Sequence, residues 1–346
     1  MSMRDWLGEA IKRKASDLHL AAGYPPLFRV DGELVKGKDK ALAPKIVEMA
    51  IREIVEEVRW RRFQQEKELD FAYEDLDFRF RVNLHFERGH AAFTARVIRR
   101  TIPSFEEIDM GEEVQVFAKE KNGLVIFTGP AGTGKSTALA TLLQEINNTR
   151  PEHIVTLEDP IEYIFPPGKG LVKQREIGLD SLSFAEGLRR ALRQDPDVIM
   201  VGEMRDPETM STALTLAETG HLVFSTLHTS TAAQAVHRIV DAFTGSQQDQ
   251  VRRQLSMSLR AVIAQQLLPR AGGGQVAARE ILLNTNAIAN LIRENKVEQI
   301  PSIVQTSRGD GMVSWSRAIQ ALVEKRLISK ETAEAYSSLA EAKRKR

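Results

Sequence analysis

Apolar residues recur along this chain with two different periods. In "DFAYEDLDFRFRVNLHFERGHAAFTARVIRR", residues 70–100, apolar and polar positions alternate, as in strands with one face on a core and one in water. From about Val114 to Arg279, short apolar runs instead alternate with amphipathic helices, the pattern of a parallel sheet covered on both faces. Ahead of the alternating stretch the pattern predicts a helix over Met3–Ala15, short strands punctuated at Pro25-Pro26, and a charged helix over Pro44–Glu66. "RTIPSFEEIDMG" (Arg100–Gly111) has the proline and acidic cluster of a linker, and "PRAGGGQ" (Pro269–Gln275) is a flexible turn. These breaks divide the chain into a mixed α/β domain (1–100), a linker (101–113), an α/β domain (114–279) and a mostly helical end (280–346).

The second period carries the clearest chemistry. Leu124, Val125, Ile126 and Phe127 lead into Gly129-Pro130-Ala131-Gly132-Thr133-Gly134-Lys135-Ser136-Thr137, which fits the phosphate-loop pattern G-x-x-x-x-G-K-[ST]. Leu139, Leu142, Leu143 and Ile146 follow at helical spacing, so the loop joins a buried strand to an amphipathic helix. Glycines there let backbone N–H groups close round phosphates, and the helix N-terminus adds partial positive charge. Lys135 suits β/γ-phosphate oxygens and the Ser136 hydroxyl suits Mg²⁺, so the stretch predicts a nucleoside triphosphate site.

Three later apolar runs end in polar groups. "HIVTLEDPIEY" delivers Glu158 and Asp159 to the edge where open α/β sheets bind ligands, with Glu162 beyond the turn at Pro160. A carboxylate near a γ-phosphate can orient or deprotonate water; Glu162 and Glu158 are both candidates. "DPDVIMVGEMRD" puts Glu203 after Val198–Val201, where a carboxylate supports Mg²⁺ through water. "GHLVFSTLHTS" flanks a strand with His221 and His228, a pair that suits either a γ-phosphate sensor or two structural histidines. No third soft ligand lies nearby to make them a zinc site.

Composition narrows the field. A net charge of +1 over 346 residues gives no global pull on nucleic acid, and the one basic-aromatic run, "RWRRF" (Arg59–Phe63), sits on the charged helix. The absence of cysteine excludes disulfides and Cys-ligated zinc, and suits a reducing cytoplasm. No apolar run approaches the roughly 20 residues that span a bilayer, and the first residues are charged throughout. A membrane role is therefore expected through a partner and not by insertion.

"GPAGTGKST", "LEDPIEY", "DPDVIMVGEMRD" and "ETGHLVFSTLHT" resemble, in order and spacing, the Walker A, Asp, Walker B and His boxes of the type II/type IV secretion ATPases. Within that superfamily the chain is similar to the pilus-retraction branch. "KASDLHLAAGYPPLFRVDGEL" resembles its N-terminal domain, "RFRVNLHFERG" its RxRVN strand, and "AIANLIRE" (Ala287–Glu294) its AIRNLIRE motif, with Ala289 where the family has Arg. The resemblance implies a PAS-like α+β domain, a RecA-like P-loop ATPase core and a helical C-terminal extension. It further implies ATP and Mg²⁺, a homohexamer, and arginines of the N-terminal domain reaching the phosphates across a subunit seam. Arg81 matches that role, with Arg96 or Arg100 as a second. Family precedent favours Glu162 over Glu158 as water activator. The implied partners are an inner-membrane platform protein and the pilus machinery, with no nucleic acid; the implied location is cytoplasmic, at the inner face of the membrane. Two alternatives remain: a pilus-assembly or type II secretion ATPase, whose four-Cys zinc element is lacking, and a weak-turnover accessory retraction ATPase, for which Ala289 speaks.

Overall fold

A computed structural model of the chain describes residues 2–30, 32–75, 78–98, 101–307 and 311–344. It divides into two compact units, Met1–Thr101 with Pro160–Ile164, and Ile102–Asp159 with Phe165–Arg346.

The first unit opens with α1 (Met3–Lys12), whose N-terminus is closed by a capping box between Ser2 and Asp5. Three short strands follow, β1 (Asp17–Leu20), β2 (Leu27–Val30) and β3 (Glu33–Lys36). The charged helix expected over Pro44–Glu66 is two helices, α2 (Pro44–Ile54) and α3 (Glu57–Glu66). The physical reason is a change of phase. A straight helix continuing the buried stripe Val47, Ala50 and Ile51 would turn Val58 inward, yet Val58 is 79% exposed while Trp60 and Phe63 are buried. The extended backbone of Val55 and Glu56 resets the stripe. The aromatics of the "RWRRF" run thus face the core, and Arg61 and Arg62 pair with Glu57 and Glu66.

β4 (Glu68–Asp75), β5 (Phe78–Glu87) and β6 (His90–Ile98) realise the alternating stretch. The sheet runs β3-β2-β1-β6-β5-β4, antiparallel throughout. Leu18, Phe28, Leu69, Phe71, Phe80, Val82, Leu84, Phe93 and Ala95 meet the helices in one core. The opposite face carries the polar members of the alternation.

The second unit begins with α4 (Glu112–Gln115) and then alternates strand and helix: β7 (Gly123–Thr128), α5 (Lys135–Thr149), β8 (His153–Glu158), β9 (Leu171–Glu176), α6 (Phe184–Ala191), β10 (Val198–Val201), α7 (Pro207–Glu218), β11 (Leu222–Leu227), α8 (Ala232–Asp241) and α9 (Ser246–Ser258). A hairpin of β12 (Leu259–Pro269) and β13 (Gln275–Leu283) follows, then α10 (Asn286–Arg293), α11 (Ile300–Thr306), α12 (Trp315–Glu324) and α13 (Lys330–Arg344). The sheet runs β13-β12-β7-β11-β10-β8-β9 and is parallel except for the hairpin. Both faces are covered. Val125, Phe127, Met200 and Phe224 pack on α5, while Leu124, Ile126, Val201 and Val223 pack on the helices of the other side. All six residues of β7 are buried, which is why its sequence is a continuous apolar run. No helix among the described residues is long and apolar enough to cross a membrane.

Candidate nucleotide site

The C-terminal ends of β7, β8, β10 and β11 form one edge of the second sheet, aligned by the pairs Thr128–Leu227, Ser225–Val201 and Val201–Leu157. The phosphate loop springs from that edge. Gly129, Gly132 and Gly134 have φ of 150°, 77° and 81°, values that L side chains rarely adopt. A Cβ on Gly129 would fall onto the backbone oxygen of Gln265, so this position requires glycine for space as well. Pro130 and Ala131 form the exposed crest, and the Thr133 hydroxyl donates back to the Pro130 carbonyl at 3.0 Å. No side chain caps α5, so its first turn of N–H groups faces the loop. Lys135 is buried, and its Nζ donates to the carbonyls of Gly129 at 2.6 Å and Pro130 at 2.9 Å. Ser136 is exposed and Thr137 half-buried behind it.

Two of the predicted partners converge one and two strands away. Glu203 leaves β10 beside His228, which leaves β11; Glu203 Oε2 lies 3.2 Å from His228 Nε2 and 2.7 Å from Arg205 Nε. Thr128, at the end of β7, donates to the Thr229 carbonyl at 2.7 Å and ties the His228 loop to the phosphate strand. Hydroxyl and carboxylate oxygens are the ligands that Mg²⁺ takes, and Ser136 and Glu203 each offer one of these oxygen types. Among the described residues no group of three His, Cys, Asp or Glu forms a metal cage of its own.

Two other candidates, His221 and Glu158, have partners of their own. His221 precedes β11 and so stands at the opposite edge, about 23 Å along the strand from His228 at roughly 3.3 Å per strand residue. Its Nδ1 lies 3.1 Å from the Leu216 carbonyl at the end of α7. Of the two histidines that suit either a sensor or a structural role, only His228 stands at the strand end that meets the loop, because flanking a strand puts residues at its two ends. Glu158 is buried, and its Oε1 accepts from Thr156 Oγ1 at 2.6 Å and Gln174 Nε2 at 3.1 Å, which binds β8 to β9. Glu162 lies in Pro160–Ile164, which groups with the first unit, where Arg79 Nε donates to the Ile161 carbonyl at 2.8 Å.

In the first unit, Arg29, Asp17, Arg96 and Arg81 are successive register partners across β2, β1, β6 and β5. Arg96 is spoken for by Asp17, at 2.9 Å. Arg81 is exposed, faces Ala72 on its other side, and has no ion pair among the described residues. Arg79 is buried and pairs with Glu74. Arg100, like Arg99, lies outside the described residues.

Sequence reasoning missed Gln265 and Arg279, which face each other on the hairpin. Gln265 Nε2 donates to the Thr133 carbonyl inside the phosphate loop at 2.6 Å, and its Oε1 accepts from Arg279 Nε at 2.9 Å. Burial pulls the Arg279 guanidinium down to about 10 from its ordinary value, which leaves it charged at neutral pH. The available signal was the paired polar residues Gln265-Gln266 and Arg279-Glu280 interrupting largely apolar strands.

Residues 2–335 match the family model described as type II/IV secretion system protein. A protein of Pseudomonas aeruginosa named "Type IV pilus retractation ATPase PilT" is 46% identical over 342 residues, 99% of each chain. A twitching motility protein of Neisseria gonorrhoeae is 46% identical over 311 residues, 89% of this chain and 83% of that one. The solved structure of the pilus retraction motor PilT with bound ADP matches with a TM-score of 0.89 at 43% identity, over 96% of both chains. The ATPase DotB of Legionella pneumophila matches at 0.83 and 29% identity, over 97% of this chain and 95% of that one.

Proposed function

The chain belongs to the type II/IV secretion system protein family, and from that premise we propose that it is an ATPase motor of type IV pilus retraction, acting as a ring of six subunits. The observation that carries the reading is the phosphate loop at the open sheet edge, with Lys135 and the uncapped α5 behind it, in a chain alike over its full length to a retraction ATPase. The strand between the loop strand and that of Glu203 supports a RecA-like core.

In this reading Lys135 and the α5 N–H groups neutralise the β/γ-phosphates. Bound Mg²⁺ would supply charge stabilisation of the leaving phosphate, held by the Ser136 hydroxyl and, through water, by Glu203. His228 hydrogen-bonds Glu203 and senses the γ-phosphate. Glu162 activates water, with Glu158 as the alternative. Arg81 reaches the phosphates of a neighbouring subunit in preference to Arg96, because among the described residues no carboxylate pairs with its guanidinium, whereas Asp17 pairs with Arg96. α10 couples the ring to an inner-membrane platform protein through its outward residues Asn290, Arg293 and Glu294. The substitution of Ala289 in that motif favours a second reading, an accessory retraction ATPase of low turnover.

Phosphate release by the purified protein, with Lys135→Ala as control, tests the chemistry. Twitching of a retraction-deficient strain complemented with this gene tests the role. Robust turnover without restored twitching would overturn retraction, and feeble turnover with twitching restored only beside a second motor would select the accessory reading.

A further inference from the structure

We infer that Gln265 is a positioning residue of the phosphate loop, aligned by Arg279, and that this pair joins the nucleotide site to the chain segment leading into the other unit. The inference rests on the nucleotide reading of the loop. Its starting point is the single amide of Gln265, 3% exposed and reached from three directions. Arg279 can only donate, so the Oε1 end of the amide must face it, and the NH₂ end must then face the loop. The orientation of the amide is decided by its partner.

From that position Gln265 touches the loop along its length. The backbone oxygen of Gln265 abuts the place of a Cβ on Gly129, its Nε2 holds the Thr133 carbonyl at 2.6 Å, and the same nitrogen is 3.1 Å from the place of a Cβ on Gly134. Drawing the Thr133 carbonyl back onto β12 turns the following N–H groups of the loop outward, toward bound phosphate. Arg279 reaches further. Its Nη1 donates to the Asp109 carbonyl at 2.9 Å and its Nη2 to the Ile108 carbonyl at 3.2 Å. Arg270 holds the Asp109 carboxylate at 2.8 Å, and Thr141 of α5 donates to the Pro103 carbonyl at 3.1 Å. Residues 102–110 are therefore strapped to the same helix and hairpin that hold the loop. A buried guanidinium is expensive to maintain, and an apolar pair would fill this space with less desolvation. What an apolar pair could not do is impose a direction on the loop carbonyl.

Gln265→Glu separates positioning from packing. Its carboxylate keeps the pairing with Arg279 and the volume of the side chain, but it has no donor for Thr133. Binding of mant-ATP to the full-length protein should weaken about tenfold or more, as for one buried hydrogen bond lost together with carboxylate–carbonyl repulsion. The melting temperature should stay close to that of wild type. Gln265→Met and Arg279→Met should weaken binding to a similar degree and non-additively when combined, and Arg279→Lys should recover part of it. If Gln265→Met is too unstable to assay, Gln265→Glu and Arg279→Lys decide. Binding by folded Gln265→Glu within twofold of wild type overturns the inference, and so does a loss of binding that tracks the fall in melting temperature across the series. Wild-type protein that fails to bind mant-ATP better than Lys135→Ala would instead overturn the nucleotide reading itself.

Discussion

The two sheets dispose of their polar residues in opposite ways. The sheet of the second unit is buried on both faces, so its candidate site is confined to one edge, where Lys135 opens the helix after the β7 loop and Glu203 and His228 follow β10 and β11. The sheet of the first unit has one core face and one polar face, so its charged residues lie in a row across strands, from Arg29 to Arg81. An edge site tolerates no movement of its strands, because every donor is set by where a strand stops. A face site depends on side-chain charge and very little on packing. Substitutions in the two sheets should therefore separate stability from activity in opposite directions.

The largest effect is expected where both faces are packed. Phe224→Ala, at a fully buried position of β11, should lower unfolding free energy by about 3–5 kcal/mol. Urea denaturation measures it, and a loss below about 1 kcal/mol would mean that this sheet collapses around the cavity. At the edge, Lys135→Ala and Glu203→Gln should each reduce phosphate release about 10²–10³-fold, roughly 3–4 kcal/mol of transition-state stabilisation, with an unchanged circular dichroism spectrum. Retention of half the wild-type rate by Lys135→Ala would remove the loop from the chemistry.

On the open face the order reverses. Arg81→Ala should alter stability by no more than about 0.5 kcal/mol, yet abolish turnover in homogeneous rings. Mixing it with Lys135→Ala subunits should restore part of the activity, since some seams then carry both functional groups; no recovery at any ratio would confine Arg81 to its own subunit. Arg96→Ala removes the exposed partner of the buried Asp17 carboxylate and should cost about 1–3 kcal/mol. The smallest effect on turnover is expected at α10. Arg293→Ala, on its exposed side, should leave ATP turnover near wild type while reducing twitching. Leu291→Ala should destabilise by less than the roughly 2–5 kcal/mol of a fully buried leucine, because Leu291 is half-buried. Equal losses of turnover and motility in Arg293→Ala would make α10 a packing element.

What could be read directly from the sequence was whatever is built from neighbours in the chain. The phosphate loop needs consecutive backbone N–H groups, glycines at left-handed positions and a helix start, all inside Gly129–Thr137, so its pattern is complete in one line of text. The strand periods were equally local: continuous apolar runs for the doubly covered sheet, alternation for the half-covered one. Tertiary structure decided everything that depends on which strand lies beside which. It put His221 at the far edge, because direction in a parallel sheet sends the two ends of a strand to opposite sides. It grouped Glu162 with the first unit through the Ile161 carbonyl and Arg79, residues 82 positions apart. It neutralised Arg96 with Asp17 and left Arg81 exposed, a matter of register alone. And it set Gln265 against Thr133 across 132 positions of sequence, because a hydrogen bond from a strand side chain to a distant loop leaves no trace in the spacing of either partner.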